Sequence, residues 1–508
     1  MNNQTQEIKS PTGKAETIPA LLNLDAALEE FRSTVNPLLE VGEKSDWDGP
    51  QLLAREQAIL RAALILAGQC TALLLTRLVS SLQVQQTARE CTQSLRQPTS
   101  AGHGNRRVNV TVIGGVSVPL LVEYVVARKP RKSRGRKRKP GRRVAARQQG
   151  FYPVLALLGI ADRLSPLVRS LVAEHGNLSV SFAAACHTLA QVGITMSTKR
   201  VARVTHAFNQ VGLRQRHRWV EQYRQGILPT GTLLKGQRVV LSVDGGRTRI
   251  RRPKPGRRRK HSRHHGYRAD WREPKLLTIY VVDERGRKVK KGCIPVTNDG
   301  TFEGVEAFMD LLGMHLTRVG IRYARWVHLT GDGAPWIWER IPTLLRQLGC
   351  PADIISEAID FCHAAGKLND FAQLAFSSQS EAQAWFRKER HLLKQGQVDK
   401  VLRHMEALLS QSKASSHGEM QTIYGYFVKH QHRMAYGKLA QYGLPIGSGA
   451  IESLIRQVVN LRLKCAGKFW LEPHAEGVLL ARCWWAASQW EQFRDLVLTA
   501  GLMPLPSN

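Results

Sequence analysis

The spacing of apolar residues predicts a mainly helical first half of the chain. Leucine and isoleucine recur at helical spacing over residues 51–104, whereas residues 1–50 are polar and are expected to form a disordered tail. From residue 105 the pattern changes to alternation on both sides of a Gly-Gly pair, which predicts a β-hairpin. Residues 151–175 return to helical spacing.

Residues 181–212 contain two short helical patterns separated by a glycine. Ser181 is placed to cap the first helix, and Ser197 is placed to cap the second. The second pattern points apolar residues inward and leaves cations outside, among them Lys199, Arg200 and Arg203. Two interpretations stay open: a helix-turn-helix whose second helix enters a DNA groove, or a plain helical hairpin.

Strands and helices are predicted to alternate along the second half of the chain. Apolar runs predict strands over 239–243, 276–282, 288–295, 326–329 and 354–359, with helices over 302–319 and 336–348 and a basic loop after the first strand. Three antiparallel strands, a helix, and then strands separated by helices is the order of an RNase H-like fold, whose crossovers should be right-handed.

Helical patterns continue over residues 366–443, which we interpret as an all-α insertion. A glycine turn then opens a further helix. Spacing of four residues should place Glu452, Arg456 and Asn460 on one face, with Leu454, Val458 and Leu461 available to the core.

These patterns divide the chain into five parts. They are a disordered tail (1–50), a helical segment (51–104), a β-hairpin with a basic disordered loop (105–150), a helical DNA-binding region (151–235) and an α/β catalytic domain with a helical insertion (236–508).

The net charge of the chain indicates its class of partner more clearly than its overall composition does. The chain of 508 residues has 74 Lys and Arg against 40 Asp and Glu, a formal net charge of +34, which indicates a polyanionic partner, with double-stranded DNA as the first expectation. Residues 58–79 form the most apolar stretch, but Arg61, Gln69 and Arg77 interrupt it, so we expect a packed helix and no membrane partner. The N-terminus shows no apolar signal core, and we expect a cytoplasmic, nucleoid-associated protein.

Twelve Lys and Arg residues lie between Arg128 and Arg147, including Arg136, Lys137 and Arg138. Such a run predicts either a solvated linker or an arm that holds phosphates, and counterion release favours the arm. The eight cysteines contain no C-x-x-C pair, so we expect no zinc. No Gly-Lys-Ser/Thr follows the glycine turn at 447–449, so we expect no ATP.

Three carboxylates occupy positions that suit divalent metals. Asp244 and Asp332 each follow an apolar strand and precede a glycine, and Glu452 lies in the first turn of a helix. A single Asp-Gly is usually a turn, but three such acids on a basic chain indicate two Mg²⁺ or Mn²⁺ ions that act on a phosphodiester. We expect the glycines beside them to let a phosphate backbone approach closely.

The motifs resemble those of bacterial insertion-sequence transposases with an RNase H-like DDE domain, of the Kra-type group related to Mutator-like transposases. The resemblance covers roughly residues 105–485 and rests on SVDG (242–245), WREPK (271–275), GDGAPWIW (331–338), DFCH (360–363) and PIGSGAIES…LRLKCAGKFW (445–470). It implies that Asp244, Asp332 and Glu452 are the metal ligands. It also places Asp360 and His363 beside the site, through their D-x-x-H signature.

The resemblance implies a transposase that cleaves element ends and transfers strands into target DNA, as a homo-oligomer on DNA. The expected DNA contacts are Lys199, Arg200, Arg203, Arg136, Lys137, Arg138, Arg257, Arg258, Arg456, Arg462 and Lys464. Two alternatives stay open: a structure-specific nuclease without strand transfer, and an inactive DNA-binding derivative of a transposase.

Overall fold

The computed structural model describes residues 23–41, 47–95, 100–127, 150–256, 266–289, 294–412, 414–464 and 467–500. The chain divides into two compact units. The first unit comprises Met1–Phe208 with Arg494–Asn508, and the second comprises Asn209–Phe493. We predicted a boundary at residue 235, whereas the division falls within two helices, Thr198–Arg224 and Trp490–Ala500.

Helices open the first unit. They are α1 (Leu24–Leu39), α2 (Gly49–Ser80) and α3 (Leu82–Cys91). The expected disordered tail over 1–50 is therefore wrong for Leu24–Leu39. A cap explains the start of α1, because the side chain of Asn23 accepts a hydrogen bond from the amide of Ala26 at 2.8 Å.

Among the described residues, α2 is the one helix with the length and apolar composition of a membrane span. Its most apolar 18-residue window is only 28% buried, so the helix is less packed than we predicted. Gln69 lies within that helix and donates to Glu30 of α1 at 2.6 Å. A single such helix is weak evidence for membrane insertion.

The predicted hairpin is confirmed. Strands β1 (Ser100–Thr111) and β2 (Ser117–Ala127) pair antiparallel, with Val108 opposite Leu120. A short turn over Ile113–Gly115 joins them, and Gly114 there has a φ of 71°, which glycine adopts without strain. One face of the hairpin is buried against α2.

Four helices come next in the first unit: α4 (Pro153–Leu157), α5 (Pro166–Leu178), α6 (Phe182–Gln191) and α7 (Thr198–Arg224), the last of which ends in the second unit. The predicted helix pair of 181–212 is present. The hydroxyl of Ser181 accepts from the amide of Ala184 at 3.0 Å, and that of Ser197 accepts from the amide of Arg200 at 3.3 Å. The apolar face of α7 is buried as predicted, through Val201, Val204 and Phe208.

The second unit is built on a mixed five-stranded sheet, and the protein is therefore α/β. Among its described residues the unit has seven strands: β3 (Arg238–Gly245), β4 (Thr248–Pro253), β5 (Tyr267–Arg272), β6 (Lys275–Val282), β7 (Thr297–Thr301), β8 (Trp326–Gly331) and β9 (Ile355–Ile359). The large sheet has the order β7-β6-β3-β8-β9. Strands β7, β6 and β3 pair antiparallel, while β8 and β9 run parallel to β3.

The helices that follow in the second unit are α8 (Val305–Val319), α9 (Pro335–Gln347), α10 (Phe361–Ala375), α11 (Gln379–Lys394), α12 (Val398–Ser410), α13 (Ala414–His430), α14 (Tyr436–Gln441), α15 (Gly449–Ile455) and α16 (Glu472–Ala486). Helix α17 (Trp490–Ala500) begins in this unit and ends in the first. Alternation decides which face each strand residue joins. Val239, Leu241 and Val243 enter the main core with α8 and α9, whereas Val240 lies on the opposite face, where α15 packs.

Two sequence predictions in this unit are wrong. The third antiparallel strand lies at Thr297–Thr301. Of the predicted strand 288–295, residues 290–293 lie outside the described residues, and Lys288 forms an isolated bridge to Val282. The predicted basic loop after β3 contains a second, two-stranded sheet, the β4–β5 hairpin. The helical insertion predicted over 366–443 is confirmed by α10 to α14.

A buried ionic cluster explains why the sequence pattern does not predict β7. Asp299 on this polar strand is 1% exposed and binds Arg216 of α7 at 3.1 Å and His315 of α8 at 2.8 Å. Arg216 also pairs with Glu476 of α16. Because buried charges must be paired, these contacts attach the end of α7 to the sheet, which places the unit boundary before residue 235.

Candidate functional site

Three acids lie at the carboxyl ends of three neighbouring parallel strands. Ser242 of β3 is opposite Thr330 of β8 in the register, so Asp244 and Asp332, each two residues further on, come at the same level. Asp360 directly follows β9, and its amide donates to the carbonyl of Gly331 at 2.9 Å. Ligands of open α/β sheets gather beyond such strand ends.

Asp244 is electrostatically coupled to the other predicted ligands. Burial, together with the negative charges of Asp332, Glu452 and Glu273, raises its pKa to about 6, against a hydrogen bond from the amide of Gly245 that lowers it. A nearby cation would stabilise the ionised form of this carboxyl group and so offset the repulsion from the other carboxylates. The structure therefore places the three predicted metal ligands, Asp244, Asp332 and Glu452, close enough for the charges of the other two to act on Asp244.

Glu452 is connected to the strand ends by a chain of hydrogen bonds. The amide of Ser448 donates to the carboxylate of Asp360, and the hydroxyl of Ser448 donates to Glu452 at 3.2 Å. The other oxygen of Asp360 accepts from the amide of His363 at 2.6 Å and so caps α10. Asp360 thus orients the turn that carries Glu452, while the His363 side chain is exposed.

Protein atoms occupy the space that glycine leaves beside the two aspartates. A Cβ atom at position 245 would lie 2.1 Å from a carboxylate oxygen of Glu273, and one at position 333 would lie 2.3 Å from the ring of Tyr426. We expected these glycines to admit a phosphate backbone. Instead they admit Glu273 and Tyr426 to the site.

Tyr426 places a phenol beside two of the acids. Burial raises the pKa of Tyr426 well above its usual range, and the charges of Asp332 and Asp360 add to the shift. Its hydroxyl is buried and has no hydrogen-bond partner among the described residues. Lys367 lies 4.9 Å from the ring centre. The phenol is therefore a neutral, buried group that packs beside the acids.

The segment after Glu452 differs from the predicted continuous α-helix. Residues Arg456–Asn460 form a π-helical turn, in which the amide of Leu461 donates to the carbonyl of Arg456, five residues earlier. The carbonyl of Gln457, which would accept from Leu461 in a regular α-helix, accepts from the side chain of Arg482. Glu452, Arg456 and Asn460, which we predicted to share one helical face, are all exposed. The π turn changes the helical phase of the residues after it, so Leu461 is 53% exposed rather than in the core.

This change of phase also corrects one predicted DNA contact. Arg462 is 2% exposed, with its guanidinium 5.1 Å from the ring centre of Trp470, and it cannot reach a phosphate in this arrangement. Lys464 and Arg456 are exposed and stay available.

The cations of α7 are not all presented alike. Lys199 and Arg203 are exposed, whereas Arg200 is half-buried and donates to the carbonyl of Asp162 at 3.4 Å. The ring of His206, on the same helix, packs edge-on against Phe182. Five further predicted DNA contacts lie outside the described residues: Arg136, Lys137, Arg138, Arg257 and Arg258.

The donor set suits divalent metals in chemistry. Carboxylate oxygens are the ligands that Mg²⁺ and Mn²⁺ prefer, and Asp244 is held beside other negative charges. In the part of the chain that the structure describes, no group of three or more His, Cys, Asp or Glu side chains forms a ready-made metal shell. This is compatible with Mg²⁺, which keeps several waters and takes further ligands from substrate phosphates.

The residues that sequence reasoning missed are Glu273, Tyr426 and Ser448. Glu273 lies inside WREPK and Ser448 inside PIGSGAIES, two motifs that carry the resemblance, but the sequence alone assigns no role to these side chains. Tyr426 lies in a helical pattern that is typical of core residues, and nothing in its spacing indicates the site.

Comparisons of the chain with models of known protein families, with curated proteins and with solved structures find no match.

Proposed function

We propose that this protein is a DNA transposase whose second unit is an RNase H-like catalytic domain. The sheet order β7-β6-β3-β8-β9, three antiparallel strands continued by two parallel ones, supports that fold. One observation carries the proposal: Asp244 and Asp332 are level at adjacent strand ends, and the charge of Glu452 acts on Asp244. The formal net charge of +34 supports DNA as the substrate.

In this proposal Asp244, Asp332 and Glu452 would hold two Mg²⁺ or Mn²⁺ ions. Such ions stabilise the attacking and leaving oxygens of an in-line displacement at phosphorus. Asp360 positions the turn that carries Glu452, through Ser448.

The proposed reaction has two steps. Water attacks a phosphodiester at the end of the element, which breaks the bond to the 3′ oxygen and leaves a 3′ hydroxyl and a 5′ phosphate. That hydroxyl then attacks a phosphodiester of target DNA and displaces its 3′ oxygen. One phosphodiester is broken and one is formed in the second step, so no covalent protein intermediate and no external energy source are needed.

The test is strand joining by the full chain. Duplexes copied from DNA that flanks the gene are supplied already cut, with a free 3′ hydroxyl, together with target plasmid and Mn²⁺. We expect wild type to join the end to the plasmid and Asp244→Asn to fail. Cutting of uncut duplex without any joining would instead support the nuclease. Binding that is unchanged by Asp244→Asn, with neither cutting nor joining in wild type, would support the inactive derivative.

A further inference from the structure

The β4–β5 hairpin has two chemically different faces. Its register pairs Arg249 with Trp271, Arg251 with Ala269 and Pro253 with Tyr267. Because successive strand residues point to opposite faces, these residues share one face, which we name the aromatic face and which Phe469 joins through its contact with Tyr267 at 5.7 Å. The other face carries the intervening residues of both strands.

Carboxylates pair with two of the three arginines of that other face, and the third, Arg272, is exposed. Arg252 pairs with Glu472 at 2.6 Å and lies 3.9 Å from Asp270, and Arg268 lies 3.5 Å from Asp270. Ile250 on the same face is fully buried, and the hydroxyl of Thr248 donates to the carbonyl of Leu463 at 2.8 Å. This face serves to attach the hairpin to the unit.

The arginines of the aromatic face contact rings instead of carboxylates. Arg251 lies 3.8 Å from the ring centre of Tyr267, and Arg249 lies 5.0 Å from that of Trp271 and 5.4 Å from that of Phe469. Within the described ranges neither arginine pairs with an acid. Trp271 is 47% exposed and Tyr267 is 39% exposed, so large rings and uncompensated positive charges meet solvent together.

This combination fits a nucleic-acid strand whose bases are not paired. Guanidinium groups attract phosphates, and exposed rings offer surfaces on which bases stack. Stacking requires the face of a base, which is covered in an intact duplex and open in a single strand. A purely phosphate-binding surface would have no use for exposed Trp271 and Tyr267, while a protein-binding apolar patch would not concentrate unpaired arginines.

The hairpin also lies where a displaced strand would be produced. It begins three residues after Gly245, and the amide of Gly246 donates to the carbonyl of Pro274 at 2.9 Å, so both hairpin ends emerge at the end of β3 that carries Asp244. Glu273, at the end of β5, contacts position 245.

We propose that the aromatic face binds unpaired nucleotides of a DNA strand beside the carboxylates, with bases stacked on Trp271 and Tyr267 and phosphates held by Arg249 and Arg251. The choice of DNA as the polymer rests on the proposed function. Strand separation next to Asp244 would expose the phosphodiester that is to be cut.

The experiment measures binding without catalysis. Full-length Asp244→Asn protein is titrated in EDTA against a fluorescent 12-residue oligothymidylate and against a blunt duplex. In this background Trp271→Ala should weaken single-strand binding on the order of ten- to a hundred-fold, as expected for lost base stacking, and should change duplex binding much less. Trp271→Phe should keep most of the affinity, which also controls for folding.

Two matched controls lie elsewhere in the unit. Trp485→Ala removes another exposed tryptophan, 39% exposed, and Arg268→Gln removes a cation from the opposite face of the hairpin. Neither should weaken single-strand binding more than about twofold, the size expected for one exposed charge. An equal loss of single-strand and duplex binding in Trp271→Ala, or no loss, would overturn the inference, as would tighter binding of oligouridylate.

Because this binding needs no metal and no cutting, its failure is separate from failure of the proposed function. Absent strand joining with intact Trp271-dependent binding contradicts the transposase and leaves the stacking site. Strand joining that persists when single-strand binding is lost contradicts the stacking site and leaves the transposase proposal.

Discussion

The buried carboxylate of Asp360 accepts a hydrogen bond from the backbone amide of Ser448, far along the chain. This contact fixes the end of β9 against the turn that precedes Glu452. Asp360 therefore acts on the site through the backbone, in keeping with the place beside the metal ligands that its motif implied.

Replacing Asp360 tests that connection. Asp360→Ala leaves the buried amide of Ser448 without its acceptor, which should lower the free energy of unfolding by roughly 1–3 kcal/mol. It also removes the cap that accepts from the part-buried amide of His363, which should lower that free energy by roughly a further 0.5–2 kcal/mol. DNA cleavage should slow as well, because the turn that carries Glu452 is released. Urea unfolding measures the first effect, and Asp370→Ala, an exposed acid on the same helix, is the control. Unchanged stability and cleavage in Asp360→Ala would contradict the connection.

His328 predicts how stability depends on pH. Burial lowers its pKa to about 4, and the neutral ring is satisfied by the carbonyl of Pro445 and the hydroxyl of Ser356, both at 2.8 Å. Between pH 6.5 and 4, His328 binds a proton in the unfolded chain but stays neutral in the folded chain. This residue should therefore lower the free energy of unfolding by about 1.4 kcal/mol per pH unit as the pH falls through that window.

Urea unfolding at pH 7 and pH 5 checks this dependence. In His328→Gln the loss of stability between the two pH values should be smaller than in wild type. Identical losses in both proteins would show that His328 does not titrate as the structure requires.

The buried cluster around Arg216 predicts a large loss of stability. Arg216→Gln removes a fully buried cation and leaves Asp299 and Glu476 without it, which should cost about 3–5 kcal/mol of unfolding free energy. Arg224→Gln, on the same helix but half exposed, should cost less than about 1 kcal/mol. Similar small costs for both would mean that the cluster does not hold α7 to the sheet.

The exposed cations of α7 predict a graded effect on DNA binding. Lys199→Gln and Arg203→Gln should each weaken binding and flatten its dependence on salt, by about one unit of slope per lost phosphate contact. Arg200→Gln should do less, because Arg200 is half-buried and donates to Asp162. Titrations at several salt concentrations measure this order. A stronger effect of Arg200 than of Arg203 would contradict the exposed face assigned to this helix.

The sequence predicted most of the α/β order because its strands are apolar runs of the kind that buried parallel strands require. β3 and β8 were found from such runs, and the acids after them were found with them. β7 was missed because its sequence TNDGT is polar, and the ion pairs that bury Asp299 come from distant residues. Long-range partners of this kind leave no local periodicity.

The same limit applies to the site. Its three acids could be chosen from local motifs, whereas the role of Tyr426 depends on a contact with Gly333 that no spacing reveals. The burial of Arg462 results from a π-helical turn that a regular helical wheel does not anticipate. The sequence pattern does not predict the β4–β5 hairpin, because arginines interrupt the alternation of apolar and polar residues along its strands.

Cleavage of duplex DNA from the gene's flanks, in Mn²⁺, by wild type and Asp244→Asn is the most direct test of the central claim. Asparagine keeps the shape of the side chain but lacks the charge that would hold a cation. We expect wild type to cut, Asp353→Asn on the surface to cut equally well, and Asp244→Asn to be slower by at least roughly 10²–10³-fold with its DNA binding retained. Cutting by Asp244→Asn at the wild-type rate would contradict the proposal that these carboxylates carry phosphoryl transfer.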